Sequence, residues 1–378
     1  MVSVRTWMSL GLATLAVLGA TGIVRRTGPS STEAVALAAP SHIDAVATAG
    51  APAVRRSLPG PGHDVPLPAD AALVDTSHPD RVIGTGTAAS CTSAVVVDAV
   101  AHGGVITFSC GPAPVTIAMA ATAKVVNTSA VVVLDGGGLV TLSGGGQRRI
   151  LYMNTCDQAQ VWTTSHCQDQ ESPRLTVQRL TFTEGNSTGD LTEGGGGGAV
   201  FVRGGQLTVL DSRFASNVCD STGPDLGGGG LRVLSQFHGR AVIVAGTTFA
   251  DNTCSNGAAI SSIGVSWRIY NSVFVRDQAI GTGANPSRSG APGGGSGGAI
   301  YLDGNTFTLD LAGSTITDST ANEGGGAIFF VSNDRTGVLR ITSSLLERNI
   351  SRGFGTAGFP GIFFLGSGAP IVSGSTIS

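Results

Sequence analysis

The stretch GGAVFVRGGQLTVLDSRFASN, residues 197–217, decides the fold because the signals at its two ends return along the chain. The first signal is Gly-Gly-Ala-Val, and it belongs to a region, Gly194 to Ile316, that is built from repeated units. Related tetrapeptides begin at Gly228, Gly257, Gly297 and Gly325. Recurrence of this kind indicates an internal repeat.

The second repeated signal is a serine or threonine, any residue, and then a large apolar residue. Its apolar anchors are Phe214, Phe249, Phe274, Ile316, Leu346 and Ile377. Successive anchors are 35, 25, 42, 30 and 31 residues apart, so the unit persists while its loops vary in length. Short β-branched runs bounded by turn residues fill each unit, and helical spacing favours only a short helix over Ser93 to Ala101. Strands this short bury a face by stacking turn upon turn, which predicts an all-β parallel β-helix.

The chain divides into three segments. Residues 1–26 contain an apolar run of 17 residues, Met8 to Val24, between Arg5 and Arg25. This length lies between the core of a signal peptide (~7–15 residues) and a membrane span (~17–25), so both a cleaved signal peptide and a membrane anchor stay open, and either predicts export. Residues 27–87 are rich in alanine and proline and predict a disordered linker. The β-helix, with a short N-terminal cap, is predicted over residues 88–378.

Composition bounds the partners. The 378-residue chain is 41% hydrophobic and 12% charged, with a net charge of -3. These values allow a large core and give no polyelectrolyte signature, so nucleic acid is not expected as a partner. The 57 glycines cluster at fixed places in the repeat, which favours corners over a flexible linker.

Equivalent positions of successive coils lie ~4.8 Å apart, the strand spacing of any sheet. The anchors Phe214, Phe249 and Phe274 therefore predict an internal aromatic stack. Three residues after the anchors come Asn217, Asn252 and Asn349, with Asp277 and Ser319 at the intervening coils. Side chains in such a column can hydrogen-bond each other and the turn backbone, which predicts a polar ladder at one corner.

The cysteines test the register independently. Cys219 and Cys254 each follow their anchor by five residues, so they occupy one position in adjacent coils and are predicted to form a disulfide. Sequence proximity pairs the other four as Cys91 with Cys110, around the cap, and Cys156 with Cys167. Six cysteines in an exported chain favour three disulfides over a metal site or a nucleophile.

The paired motifs resemble two groups of proteins. Gly197 to Val200 with Phe214 to Asn217, and Gly297 to Ile300, look like the repeats of chlamydial polymorphic outer membrane proteins. The region Cys91 to Gly146 resembles the opening of bacterial secreted right-handed β-helix proteins of the pectin-lyase-like superfamily. The resemblance implies a right-handed coil; the first family implies adhesion to surfaces, and the second includes polysaccharide lyases. The matching residues are structural, so they specify the fold better than the activity.

No cofactor is expected except under the lyase alternative, which implies calcium held by carboxylates on one outer face. The candidates are the acids ahead of the glycine turns, Glu193, Asp225 and Glu323. The turn His238-Gly239-Arg240 is the candidate for acid/base chemistry, because a histidine beside an arginine can exchange protons. The candidate external aromatics for sugar binding are Tyr152, Trp162, Trp267 and Tyr301.

Three functions remain open at this stage. The preferred hypothesis is an exported, adhesin-like protein that binds a glycan or a cell surface without catalysis, with membrane contact at the N-terminus if the signal is uncleaved. The alternatives are a polysaccharide lyase or related carbohydrate-active enzyme, and a structural spacer of a larger surface protein. The spacer is favoured by the end of the sequence at Ser378, in the middle of a repeat.

Overall fold

A computed structural model describes residues 64–191 and 194–378, which form a parallel β-helix. The segment predicted as signal peptide or anchor, the linker up to residue 63, and the candidate ligand Glu193 lie outside the described residues. No helix of the described residues is long and apolar enough to cross a membrane.

The coils are built from short strands. In chain order the elements are β1 (Arg81–Ile83), α1 (Ser93–His102), β2 (Gly104–Phe108), β3 (Val115–Ala118), β4 (Ala123–Lys124), β5 (Val131–Ser143), β6 (Leu151–Asn154), β7 (Arg174–Thr183), β8 (Val200–Arg203), β9 (Gln206–Leu210), β10 (Arg213–Ala215), β11 (Leu231–Leu234), β12 (Val242–Ala245), β13 (Thr248–Ala250), β14 (Thr253–Cys254), β15 (Ile260–Ile263), β16 (Trp267–Tyr270), β17 (Val273–Val275), β18 (Gln278–Ala279), β19 (Ile300–Gly304), β20 (Thr308–Ala312), β21 (Thr315–Thr317), β22 (Thr320–Ala321), β23 (Ile328–Ser332), β24 (Val338–Thr342), β25 (Leu345–Glu347), β26 (Ile350–Ser351), β27 (Ile362–Leu365), β28 (Ile371–Ser373) and β29 (Thr376–Ile377). Short 3-10 helices cover Ala69–Ala71, Ala88–Ser90, Gln158–Gln160, Cys167–Asp169 and Phe237–Gly239.

These strands form three sheets that run along the axis. Sheet 1 takes two strands from most coils, and its members are β1, β2, β3, β5, β7, β9, β10, β12, β13, β16, β17, β20, β21, β24, β25, β28 and β29. Sheet 2 takes one strand per coil, in the order β4, β6, β8, β11, β15, β19, β23, β27. Sheet 3 is the short ladder β14, β18, β22, β26. A coil therefore passes from sheet 2 through both strand positions of sheet 1 to sheet 3 and back.

Residues in the left-handed region bend the chain at the corners. The glycine signal supplies one corner, where Gly297 has φ +68° and a β-carbon would lie 2.4 Å from the carbonyl oxygen of Ile300. The corner before the polar ladder is made by non-glycine residues, with φ of +59° at Asp251 and +56° at Arg276. Sequence analysis did not predict that non-glycine residues at this corner adopt the left-handed conformation, because aspartate and arginine there resemble ordinary turn residues.

The predicted internal stack and ladder positions lie in register inside the coil. The Phe214 ring lies 4.8 Å from that of Phe249, which lies 4.9 Å from that of Phe274. Phe182 adds a further ring, 5.0 Å from Phe214; the sequence pattern missed it because Leu180 stands where the signal has serine or threonine. These parallel rings place apolar area in the core at the strand spacing.

The ladder beside the stack is continuous from coil to coil. Asn217 Nδ2 donates to Asn252 Oδ1 at 3.0 Å, and Asn252 Nδ2 donates to Asp277 Oδ1 at 2.9 Å. The backbone amide of Ser319 donates to Asn349 Oδ1 at 3.1 Å. The ladder thus satisfies turn amides that the corner would otherwise bury unpaired.

The three predicted disulfides are present. The α-carbons are 5.7 Å apart in Cys91–Cys110, 4.9 Å in Cys156–Cys167 and 4.8 Å in Cys219–Cys254. The last bond joins equivalent positions of adjacent coils, as the register required.

The folded region starts earlier than the predicted boundary at residue 88. Strand β1 pairs in parallel with β2, and the preceding segment 64–78 lies against sheet 1. Side-chain amides bind it: Asn271 exchanges two hydrogen bonds with the backbone of Val65, and Gln178 does the same with Val74. The proline-rich composition therefore marked an extended segment whose partners lie far along the chain.

The N-terminal cap is helix α1, which ends at His102. It buries Val96, Ala99 and Val100 and packs against β4, the terminal strand of sheet 2. The helix thus covers apolar area that the first coil would otherwise expose.

Candidate functional site

The outer face of sheet 2 carries aromatic and charged side chains that are buried, among them Tyr152, Arg232 and Tyr301. From β6 to β27, one outward position of each coil forms a column in register, here called the outer column, with members Tyr152, Phe201, Arg232, Ser261, Tyr301, Phe329 and Phe363. Rings in neighbouring coils stack, with centroids 4.8 Å apart for Tyr301 and Phe329. Loops 216–230 and 280–299 cover the middle of this column, since the Tyr301 hydroxyl contacts Asn285 and the Pro224 carbonyl.

Two cavities open beside the covered column. The first has a volume of about 410 Å³ and is lined by Asp225, Ile263, Asn285, Pro286, Asp303, Gly304, Val331 and Asn333. The second has a volume of about 420 Å³ and is lined by Arg203, Arg232, Leu234, Ser235, Ile263 and Gly264. Ile263 belongs to both, so we treat the cavities as one site, here called the groove.

The floor of the groove follows the strands from coil to coil. Arg203, Leu234, Ile263, Asp303 and Val331 are successive register partners at the carboxyl ends of β8, β11, β15, β19 and β23. Neighbouring positions along this line are ~4.8 Å apart. The groove therefore runs along the axis, with apolar floor residues between charged ones.

Two carboxylates meet in the first cavity. Asn285 Nδ2 lies 2.5 Å from Asp225 Oδ1 and 2.7 Å from Asp303 Oδ2, so these two oxygens are at most 5.2 Å apart. Asp303 also accepts from its own neighbour Gly304 and from Asn333. Burial raises the pKa of Asp303 above its ordinary value, and the nearby Asp225 charge raises it further, while the hydrogen bonds oppose this change.

Tyr301 lies under the pair. Its hydroxyl is 3.2 Å from Asp303 Oδ2, and burial raises the pKa of this tyrosine well above the ordinary 10. The phenol is therefore protonated at neutral pH and can donate to a neighbouring oxygen.

The candidate metal ligands Asp225 and Glu323 have different surroundings in the structure. Asp225 lines the groove, whereas Glu323 is bound by the guanidinium of Arg288, at 2.6 and 3.0 Å, and by the Gly283 amide. Hydrogen bonds from Arg288 lower the pKa of Glu323. Its carboxylate fastens loop 280–299 to the coil. In residues 64–191 and 194–378, no three histidine, cysteine or acidic side chains group to hold a metal ion.

The catalytic candidates His238 and Arg240 are not among the residues that line the groove. His238 is exposed, and its ring stacks on Phe237 at 3.9 Å. A carboxylate does face the imidazole, with Asp169 Oδ2 3.6 Å from Nε2, although 69 residues separate the two in sequence. Arg240 lines a separate cavity of about 250 Å³ beside sheet 1. His238 and Arg240 therefore lie in different surroundings, although they are close in sequence.

The predicted external aromatics divide as well. Trp267 is fully buried, and its indole Nε1 donates to Ser262 Oγ at 2.9 Å, so its prediction as a surface residue is wrong. Tyr152 and Tyr301 point outward but are covered, and Trp162 is 45% exposed. The prediction failed for Trp267 because alternation in a short apolar strand does not mark which face is inside.

Sequence analysis missed Asp303, Asn285 and Arg232. Asp303 and Arg232 stand in apolar strands, where an isolated polar residue at an outward position is the only signal, and Asn285 lies in a glycine-rich loop without a motif. Comparisons with protein-family models, curated proteins and solved structures found no match for the chain. The groove must therefore be interpreted from its own chemistry.

Proposed function

We propose that this is an exported protein of the cell surface or the medium that binds a glycan in the groove over sheet 2. The observation that carries the proposal is the groove itself, in which apolar floor residues alternate with carboxylate, amide and guanidinium groups. Sugar rings present both C–H faces and hydroxyls, and sites of this mixed composition suit them. The three disulfides are compatible with export.

The arrangement favours an extended ligand laid along the axis. Leu234 and Ile263 give apolar contact at adjacent coils, and Val331 does so one coil beyond Asp303. Asn285 and Asn333 stand at the rim with amide groups. The resemblance of the repeats to polymorphic outer membrane proteins supports the adhesin-like interpretation, and the resemblance to the pectin-lyase-like superfamily supports a polysaccharide ligand.

Binding is tested by titrating the folded protein with a panel of neutral and acidic polysaccharides. We expect N333A to weaken binding, because it removes a rim amide that also positions Asp303. D310N is the control, since Asp310 lies on sheet 1 and pairs with Arg340. Failure of every polysaccharide to bind would contradict the proposal and leave a structural spacer as the better account.

A second candidate, a carbohydrate-cleaving enzyme, is favoured by the two carboxylates. The upper limit of 5.2 Å for two of their oxygens is shorter than the ~6.5–9.5 Å of inverting glycosidases, which leaves the retaining arrangement as the candidate. A raised pKa suits Asp303 to donate a proton to the leaving oxygen, and Asp225 would then stabilise or attack the anomeric carbon.

Cleavage is measured on the same panel by new reducing ends and by the absorbance of unsaturated products, with and without calcium. Reducing ends that form without unsaturated products and that D303N abolishes would favour the hydrolytic candidate. Calcium-dependent unsaturated products would favour a lyase. Binding without either product would support the non-catalytic proposal.

A further inference from the structure

Arg232 is a buried cation whose hydrogen bonding is incomplete. It belongs to the outer column, is 2% exposed and contributes to the wall of the second cavity. Within the described part of the chain its side chain makes one hydrogen bond, from Nη1 to Ser261 Oγ at 2.7 Å. Its Nε is buried without a partner. A buried charged donor left unpaired costs free energy, so such a group calls for an additional acceptor.

Arg149 provides the contrast on the same face. It is 6% exposed and lies over the Phe201 ring at 5.1 Å. Its guanidinium donates to the carbonyls of Gly196 and Gly197 and forms an ion pair with Asp190. This fold therefore can enclose an arginine with an acceptor at each of its three side-chain nitrogens, and it does not do so at Arg232.

The surroundings of Arg232 favour an anion at one end of the groove only. Burial lowers the pKa of Arg232 to about 10, so the side chain still carries its charge at neutral pH. Arg203 lines the same cavity. Asp225 and Asp303 line the adjoining one, where they repel negative charge. The electrostatic field thus changes sign along the groove.

We propose that the cavity beside Arg232 binds the anionic substituent, a carboxylate or a sulfate, of an acidic glycan. The inference rests on the proposed function and specifies it: the ligand is acidic, and its charged group lies at the arginine end while uncharged sugar hydroxyls lie against Asp225 and Asp303. The anion supplies a further acceptor to a guanidinium that makes a single hydrogen bond within the described residues, and it is held by charge-assisted hydrogen bonds.

The test compares ligands with and without an anionic substituent on the same sugar backbone. The probes are oligogalacturonate with its carboxyl-reduced counterpart, and dextran sulfate with dextran, titrated calorimetrically into the full chain. We expect the acidic member of at least one pair to bind more tightly, and the pair that responds identifies carboxylate or sulfate. R232Q is expected to reduce the preference about tenfold, the order expected for a hydrogen bond to a charged group. R340Q, which removes an exposed arginine on sheet 1, is the charge-matched control and should keep the preference.

A second variant, D225N, tests the inference even if R232Q does not fold. D225N should raise the affinity for acidic ligands, whereas R232Q should lower it. Removing the Asp225 charge takes away a repulsion near the site, so acidic ligands should bind about threefold more tightly. Equal binding of charged and neutral members, or an R232Q preference equal to that of the wild type, would overturn the inference and leave glycan binding standing.

If neither member of either pair binds, the wider polysaccharide panel decides the proposed function, and crystals soaked in selenate decide the anion site separately. Anomalous density at Arg232 in the wild type would support the site, and its absence would overturn it.

Discussion

Asp277 occupies an asparagine position of the ladder, and replacing it with asparagine is predicted to stabilise the protein at neutral pH. The side chain is fully buried, and its Oδ1 accepts from the backbone and the side-chain amide of Asn252, at 3.0 and 2.9 Å. Its Oδ2 has no partner. At the equivalent point, the ladder asparagines donate Nδ2 to the anchor carbonyl of the preceding coil, as Asn252 does to Phe214 at 3.1 Å. At position 277 the corresponding acceptor is the carbonyl of Phe249. An ionised carboxylate has no hydrogen to donate to this carbonyl, whereas a protonated carboxyl or an asparagine amide does.

The magnitude follows from the pKa. Burial raises the pKa of Asp277 from 3.8 to about 7. Because the folded state binds the proton more tightly than the unfolded state, the contribution of Asp277 to the free energy of unfolding is complete below pH 3.8. It is lost as the pH rises towards and through about 7. The gap between the two pKa values corresponds to about 4 kcal/mol, which is the stability expected to be missing at pH 8.

Urea unfolding of wild type and D277N, followed by tryptophan fluorescence at pH 5 and at pH 8 with disulfides intact, measures this effect. The wild type should lose stability between the two pH values, whereas D277N should change much less and exceed the wild type at pH 8. D310N, an equal change of charge at a partly exposed site, should keep the wild-type pH dependence. A D277N protein that loses as much stability as the wild type between pH 5 and pH 8 would refute the reasoning.

Three further changes test the stack, the disulfide between coils and the loop over the groove. F249A should cost about 3–5 kcal/mol in urea unfolding, because the ring lies between two others; a cost below that of F237A, a partly exposed ring, would contradict the stack's role. The double change C219S/C254S removes a disulfide that closes a loop of 35 residues, whereas C156S/C167S removes one that closes 11. The first should lower the free energy of unfolding by about 1 kcal/mol more than the second, because a longer closed loop restricts the unfolded chain more. Thermal unfolding of the two variants measures the difference, and the reverse order would contradict this argument. E323Q should weaken glycan binding several-fold with little loss of stability, because it removes the ion pair with Arg288 and so loosens the loop that carries Asn285. Calorimetric titration measures the affinity, and an unchanged affinity would show that other contacts hold the loop.

Much of the coil was predictable from the sequence because each coil contacts only its neighbours. A residue such as Phe249 packs against the residues at the same position one coil earlier and one coil later. Its neighbours can therefore be identified from the repeat in the sequence. The disulfide Cys219–Cys254 follows from the same register, since one offset from two anchors places both cysteines at one corner. The sequence also predicted the cap helix at Ser93, which the structure extends to His102.

The groove depended on tertiary structure, for a physical reason that particular residues illustrate. Strands of sheet 2 are covered on both faces, so Val200 and Phe201 are equally apolar although one points into the coil and the other away from it. The site then combines Arg232 and Asp303 from two strands with Asn285 from a loop, and the ion pair between Arg288 and Glu323 joins that loop to the coil. Repetition along the chain determined the coil, and contacts between the variable loops and the outer face, which follow no repeat, decided where the charged groups meet.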